Sequence, residues 1–154
     1  MEQRYVIGLD FGTKSGRAIL AATQNGDIKA ASSADYPHGV MDQQLPDGTL
    51  LKRDWALQHP KDYLDVMETT VRTVLKQAGV SSGQVIGISL DFTASTVLPV
   101  DEHLIPLCMK IEFADHPHAY VKLWKHHAAQ KQADRINDYL ATEGLIDLPK
   151  FGGR

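Results

Sequence analysis

Seven residues, Tyr5-Val6-Ile7-Gly8-Leu9-Asp10-Phe11, are apolar apart from one carboxylate and give way at once to Gly12-Thr13-Lys14-Ser15. A short apolar run bounded by glycine reads as a buried strand, here expected over Tyr5 to Leu9 with a second over Arg17 to Ala22. Asp10 is then held at the end of a rigid element and faces the point where the chain turns. Gly12 has no Cβ, so the turn can tighten and its amide can approach an anion. Thr13 and Ser15 add hydroxyls, and successive turn amides form a concave anion nest. Asp10 repels a phosphate, but it suits Mg²⁺ or its water shell, which then bridges to phosphate. Together these residues point to a nucleotide-phosphate site. The same residue types also build ordinary hairpin turns, so spacing alone leaves both readings open. A Walker loop is excluded: three residues separate Gly8 from Gly12 where four are needed, and Thr13 intervenes before Lys14.

With 154 residues, 43% of them apolar and 23% charged, the chain suits one globular domain with a sizeable core. The net charge of −3, with no basic stripe, argues against a nucleic-acid partner. A single cysteine, Cys108, rules out an intrachain disulfide and fits a reducing compartment, where it serves as a small buried apolar residue. No apolar run approaches a membrane span, and the first strand starts too early for a signal peptide. The expected location is cytoplasmic.

Further along, Asn25-Gly26-Asp27 predicts a type I′ hairpin leading into a third, more polar strand from Ile28 to about Tyr36. His38 to Arg53 is rich in glycine, proline, glutamine and aspartate and reads as a surface loop. A helix opens at His59-Pro60, buries Tyr63, Val66, Met67, Thr70, Val71, Val74, Leu75 and Ala78, and stops at Gly79. Val85 to Phe92 is a second buried strand ending in a carboxylate, Asp91, and an extended segment is expected over Thr96 to Val100. Pro117 is expected to begin a second helical region, with Tyr120, Leu123 and Trp124 on one face and Ala129, Ala133, Ile136 and Leu140 on a later one, ending at Gly144. His116, His118, His126 and His127 offer no convincing metal-ligand spacing. Three strands, a helix, a central strand and a helix are how an α/β fold of the ribonuclease-H-like type begins. In that fold the first strand also pairs with the one after the helix, which brings Asp10 and Asp91 to one edge.

Four blocks carry a family resemblance. They are Ile7-Gly8-Leu9-Asp10-Phe11-Gly12-Thr13 with Ser15 and Arg17; Trp55-Ala56-Leu57-Gln58-His59-Pro60; Gly87-Ile88-Ser89-Leu90-Asp91-Phe92-Thr93-Ala94-Ser95-Thr96; and Val121-Lys122-Leu123-Trp124-Lys125-His126-His127-Ala128. Across nearly its whole length the chain resembles the N-terminal part of the FGGY-family carbohydrate kinases, and within them the ribulokinases. The first block is shared across the wider actin, sugar-kinase and Hsp70 superfamily. The resemblance implies an incomplete ribonuclease-H-like N-terminal domain and ATP-dependent phosphorylation of a ketopentose, L-ribulose being the expected acceptor in L-arabinose catabolism. It implies that Asp10 positions Mg²⁺ and that Gly12, Thr13, Lys14 and Ser15 face the ATP phosphates. Lys14 departs from the threonine or carboxylate often found at that place. Thr93, Ala94 and Ser95 match the loop lining the sugar pocket. Trp124 and His126 fall on a Trp-x-Asp-x-Arg pattern in which His126 replaces the aspartate and Ala128 the arginine. Trp124 is expected to anchor a helix in the core or pocket wall, with stacking on a sugar as the alternative.

Members of this family run to several hundred residues, and the resemblance places the catalytic base and the adenine pocket in a second domain. The chain, ending at Phe151-Gly152-Gly153-Arg154, is therefore expected to hold no catalytic base and to be inactive alone. It reads as a fragment or as one half of a split kinase; a non-catalytic nucleotide-binding module is the other reading. An apolar strand at Val85 to Phe92 left at a sheet edge predicts self-association, or disorder after about Leu140.

Overall fold

The computed structural model describes residues 3–144. Strands β1 (Tyr5–Phe11), β2 (Ser15–Ala22) and β3 (Ile28–Asp35) form a meander, and β5 (Val85–Phe92) joins it after a helix. The four-stranded sheet runs β3-β2-β1-β5, with β1 antiparallel to β2 and parallel to β5. This is the expected ribonuclease-H-like opening. Alternation along β1 sends Tyr5, Ile7, Leu9 and Phe11 into the core, while Gly8 and Asp10 face the opposite side. Each large apolar side chain buried in this way contributes roughly 1.5–3 kcal/mol.

Helix α1 (Pro60–Ala78) covers that face. His59 caps its start, the imidazole Nδ1 accepting from the Lys61 amide at 3.2 Å, and Gly79 ends it at φ 64°, a left-handed value that suits glycine. Val66, Thr70 and Val74 are its most deeply buried line, packed against β2 and β3 with Tyr63, Met67, Val71 and Leu75 alongside. Gly16 lies directly beneath Val66: a Cβ there would come within 2.6 Å of Val66 Cγ1.

Four local expectations are corrected. The β2–β3 loop is wider than a type I′ turn: Ala22 donates to the Asp27 carbonyl, Gly26 alone takes positive φ, and Asn25 acts through its side chain, which accepts from the Asp27 amide at 3.2 Å. The 38–53 segment is more than a surface loop. Its Met41 and Leu45 are buried in a second cluster with Leu57, Cys108, Ala119 and Tyr120, and Met41 bridges to Leu57. No α-helix starts at Pro117. A 3-10 turn (Pro117–Ala119) leads into the short strand β6 (Val121–Lys122), which pairs with β4 (Leu57–Gln58), and helix α2 (Gln130–Thr142) begins later. Pairing with a distant segment here overrides local helical spacing. The 96–100 stretch makes only isolated bridges, Val97 to Lys122 and Val100 to Pro106. The chain end from Phe151 to Arg154 lies outside the described residues, as does all but the first part of the segment expected to be disordered after Leu140.

Strand β5 sits at the sheet edge, and its Ile86, Ile88, Leu90 and Phe92 are exposed. Ile136 and Tyr139 of α2 are exposed as well. None of the described helices is long and apolar enough to cross a membrane.

Candidate functional site

Asp10 is the penultimate residue of β1, flanked by Arg17 on β2 and Asp91 on β5 in direct register. The three line a cleft of about 300 Å³ with Gly8, Ile19 and Ser89. Arg17 Nη1 donates to Asp10 Oδ2 at 2.6 Å, and both side chains are about half exposed, at 55% and 48%. A pair this wet is weak in stability terms. What it does is set the direction of the carboxylate.

The turn after β1 is tightly tied. The Gly12 amide donates to the Ser15 carbonyl at 3.0 Å, so it closes the turn itself. A Cβ on Gly12 would meet that carbonyl at 3.3 Å and the Arg17 guanidinium at 3.5 Å, so glycine is what allows this approach. The Lys14 carbonyl accepts from the Tyr36 amide, and its side chain is exposed. Thr13 is held from two sides: its carbonyl accepts from Gln58 Nε2 at 2.8 Å, and its hydroxyl accepts from the Trp124 indole at 3.2 Å.

Thr93, Ala94 and Ser95 follow β5 directly and come to the same end of the sheet. The Thr93 amide donates to the Phe11 carbonyl, and the Thr93 and Thr96 hydroxyls lie 2.9 Å apart. Ser95 adopts φ 56°, uncommon for a residue with a side chain. Of the two places expected for Trp124, on a helix in the core or in the pocket wall, the first is excluded. The residue is not on a helix, is 56% exposed, and stands beside the Gly12–Ser15 turn instead of in the core. His126 is not brought into this group. Its Nδ1 accepts from the Ala56 amide at 3.2 Å and its ring meets Trp55 edge-on, a role that needs neutral imidazole. Burial first, then Lys122, lowers its pKa and favours that form.

Two features escaped the sequence reading. Gln58 is a polar residue at the end of an apolar stretch, Trp55-Ala56-Leu57, and that placement was the available signal. The other is a cluster of His38, His59 and Asp62, whose ligand-type atoms lie within 4.8 Å of one another. The buried Asp62 carboxylate accepts from the His38 amide at 2.9 Å and pairs with His38 Nδ1 at 2.7 Å. The two imidazoles stack at 4.6 Å and 21°. Their in-plane lone pairs therefore run side by side rather than converging, and the cluster clips the segment after β3 to the start of α1.

A half-exposed carboxylate beside a hydroxyl-bearing turn fits Mg²⁺, which takes hard oxygen ligands and keeps several waters. The sequence pattern of the FGGY family of carbohydrate kinases, N-terminal domain, matches residues 5–144. The ribulokinase of Geobacillus thermodenitrificans is 50% identical over 155 aligned positions, which cover 100% of this chain and 27% of that protein. The ribulokinase of Mycolicibacterium smegmatis is 45% identical over 152, covering 97% and 27%. The chain thus spans about a quarter of the length of the curated relatives it matches. Among solved structures, a xylulose kinase from Rhodospirillum rubrum superposes with TM-score 0.65 at 17% identity over 96% of this chain and 25% of that one. A xyloylose kinase from Brucella ovis gives TM-score 0.68 at 16% identity, over 92% and 25%. Those two show a shared fold. With the pattern running through β1, the Gly12–Ser15 turn and β5, the chain belongs to the FGGY family of carbohydrate kinases.

Proposed function

We propose that this chain supplies the N-terminal, phosphate-side part of a ribulokinase, a cytoplasmic enzyme transferring the γ-phosphate of ATP to L-ribulose in L-arabinose catabolism. The observation that carries the reading is Asp10, held at the strand end by Arg17 and in register with Asp91, beside the turn from Gly12 to Ser15. The similarity to ribulokinases along the whole chain supports L-ribulose over other acceptors.

In this reading Asp10 would hold Mg²⁺ or its water shell, and the metal would supply charge neutralisation at the phosphates. The residues of the chain orient the partners. Arg17 aims the Asp10 carboxylate. Thr13, Lys14 and Ser15 present amides, a cation and a hydroxyl toward the phosphates, with Gly12 keeping the backbone close. Thr93, Ala94 and Ser95 present small polar groups to the sugar, directional hydrogen bonding without bulk. Trp124 walls the space between turn and sugar, while His126, turned to the Ala56 amide and Trp55, is given no sugar contact. Phosphoryl transfer depends on groups converging from both sides of a cleft, so residues 1–154 form the first part of the first kinase domain and are inactive alone.

Isolated chain is expected to release no L-ribulose-dependent ADP. Chain joined to, or mixed with, the remaining three quarters of a related ribulokinase is expected to release it, and Asp10→Asn is expected to abolish that release. Release undiminished in Asp10→Asn would overturn the assignment. Alone, the open edge and apolar row of β5 are expected to make the chain self-associate, seen as a concentration-dependent mass in light scattering.

A further inference from the structure

The side chain of Gln58 is 1% exposed, and both ends of its carboxamide are engaged. Nε2 donates to the Thr13 carbonyl at 2.8 Å, and Oε1 accepts from the Tyr63 hydroxyl at 2.5 Å. A buried amide costs several kcal/mol unless it is hydrogen-bonded, so this residue is retained in the core by two bonds that also fix which way round it lies. Tyr63 is itself held by ring edges: Phe11 at 5.8 Å, Tyr36 at 5.4 Å and Phe92 at 6.3 Å. Burial drives its phenol pKa upward, so it stays a proton donor.

The Thr13 carbonyl belongs to the peptide group that ends in the Lys14 N–H. In a planar trans peptide the two point in opposite directions. Drawing the carbonyl inward to Gln58 therefore turns the Lys14 N–H away from the core. Trp124 restrains the same residue through its hydroxyl. Gln58 lies on β4 opposite Val121 of β6, and Lys122 of β6 bridges to Val97 beyond the Thr93–Ser95 segment. One short ribbon thus connects the turn after β1 with the segment after β5.

We propose that Gln58 is a positioning residue for nucleotide phosphate: by anchoring the Thr13 carbonyl it presents the Lys14 amide to the anion. The inference rests on the phosphate-site reading above and goes beyond it, since Gln58 touches neither phosphate nor sugar. Tyr63 orients Gln58 in turn.

The test uses the ¹⁵N-labelled chain for amide hydrogen exchange, and the same chain joined to the remaining three quarters of a related ribulokinase for titration by Mg·ADP. In Gln58→Leu the exchange of the Gly12 amide is expected to speed up, and the Mg·ADP dissociation constant to rise, each by about tenfold, the equivalent of one hydrogen bond. Gln58→Glu, which keeps the shape and the acceptor for Tyr63 but loses the donor to Thr13, is expected to match Gln58→Leu. Tyr63→Phe is expected to fall between these and the parent. Should Gln58→Leu fail to fold, the other two variants carry the test. A folded Gln58→Leu or Gln58→Glu chain with parental Gly12 exchange overturns the inference, whatever happens to its melting temperature. If the joined protein with parental Gln58 shows no Mg·ADP response from Gly12 to Ser15, the phosphate reading falls, and the exchange data still decide whether Gln58 anchors the turn.

Discussion

Two neighbouring strands carry nearly the same five residues: Ile7-Gly8-Leu9-Asp10-Phe11 in β1 and Ile88-Ser89-Leu90-Asp91-Phe92 in β5. They lie side by side in parallel and in register, Ile7 beside Ile88 and Phe11 beside Phe92, whose rings stack at 4.7 Å. Yet Ile7, Leu9 and Phe11 are 2%, 3% and 4% exposed, and Ile88, Leu90 and Phe92 are 61%, 56% and 51% exposed. The local sequence is not what differs. Helix α1 lies across β2 and β3 and reaches β1, and nothing among the described residues covers β5 to the same depth. Burial belongs to the layer above a strand, and an apolar strand reports only that it is made to be covered.

The sharpest way to break this comparison is the paired truncation. Leu9→Ala is expected to cost about 2–5 kcal/mol, as buried leucines do, against less than about 1 kcal/mol for Leu90→Ala. Urea unfolding of dilute, monomeric chain measures both, and equal costs would show that β5 is covered after all. Gly16→Ala and Gly87→Ala repeat the contrast at smaller scale. The first sets a methyl against Val66 and is expected to cost about 1–3 kcal/mol by overpacking. The second meets only Val6 at 3.7 Å, an ordinary contact, and is expected to be nearly neutral beyond its effect on backbone freedom. Covering has its own cost at Tyr36, whose buried hydroxyl has no hydrogen-bond partner among the described residues and whose pKa burial pushes up to about 12. Tyr36→Phe is expected to raise the stability by about 1 kcal/mol, read by the same unfolding experiment. The smallest effect is in pH. Burial, then the nearby His38, lowers the His59 pKa from 6.5, so the fold prefers neutral imidazole at the start of α1. That contribution is present above pH 6.5 and lost as pH falls through the folded value. Mild acid should therefore lower the protection factors of the β1 amides, taken relative to the intrinsic exchange rate at each pH, and His59→Gln should flatten that dependence.

Much of the frame was legible in the chain itself. Short apolar runs bounded by turn residues marked β1 and β5 with β2 between them, and the Pro60 start, Gly79 stop and helical spacing placed α1. Asp10 and Asp91 follow from strand order alone. The ribbon of β4 and β6 was not legible, because two residues per strand carry no periodicity and their pairing spans more than sixty positions. Met41 and Leu45 hid in a polar segment for the same reason: their partners, Leu57 and Tyr120, are far along the chain. Trp124 could not be assigned between core and pocket wall from sequence, because an indole is apolar enough for the one while its N–H needs a partner, supplied here by the Thr13 hydroxyl. Local pattern reveals elements that are long and repetitive; a site assembled from single residues on short pieces becomes visible only in three dimensions.

The absent side chain at Gly16 reaches further than its own contact. Helix and sheet can settle to one separation there because no methyl holds them apart, and Tyr63 rides on that helix. A shift of the helix by a few tenths of an ångström would pass through the phenol to a carboxamide and then to one peptide plane. The gap between two layers would thereby be translated into the aim of a single N–H, with Gly16 as its gauge.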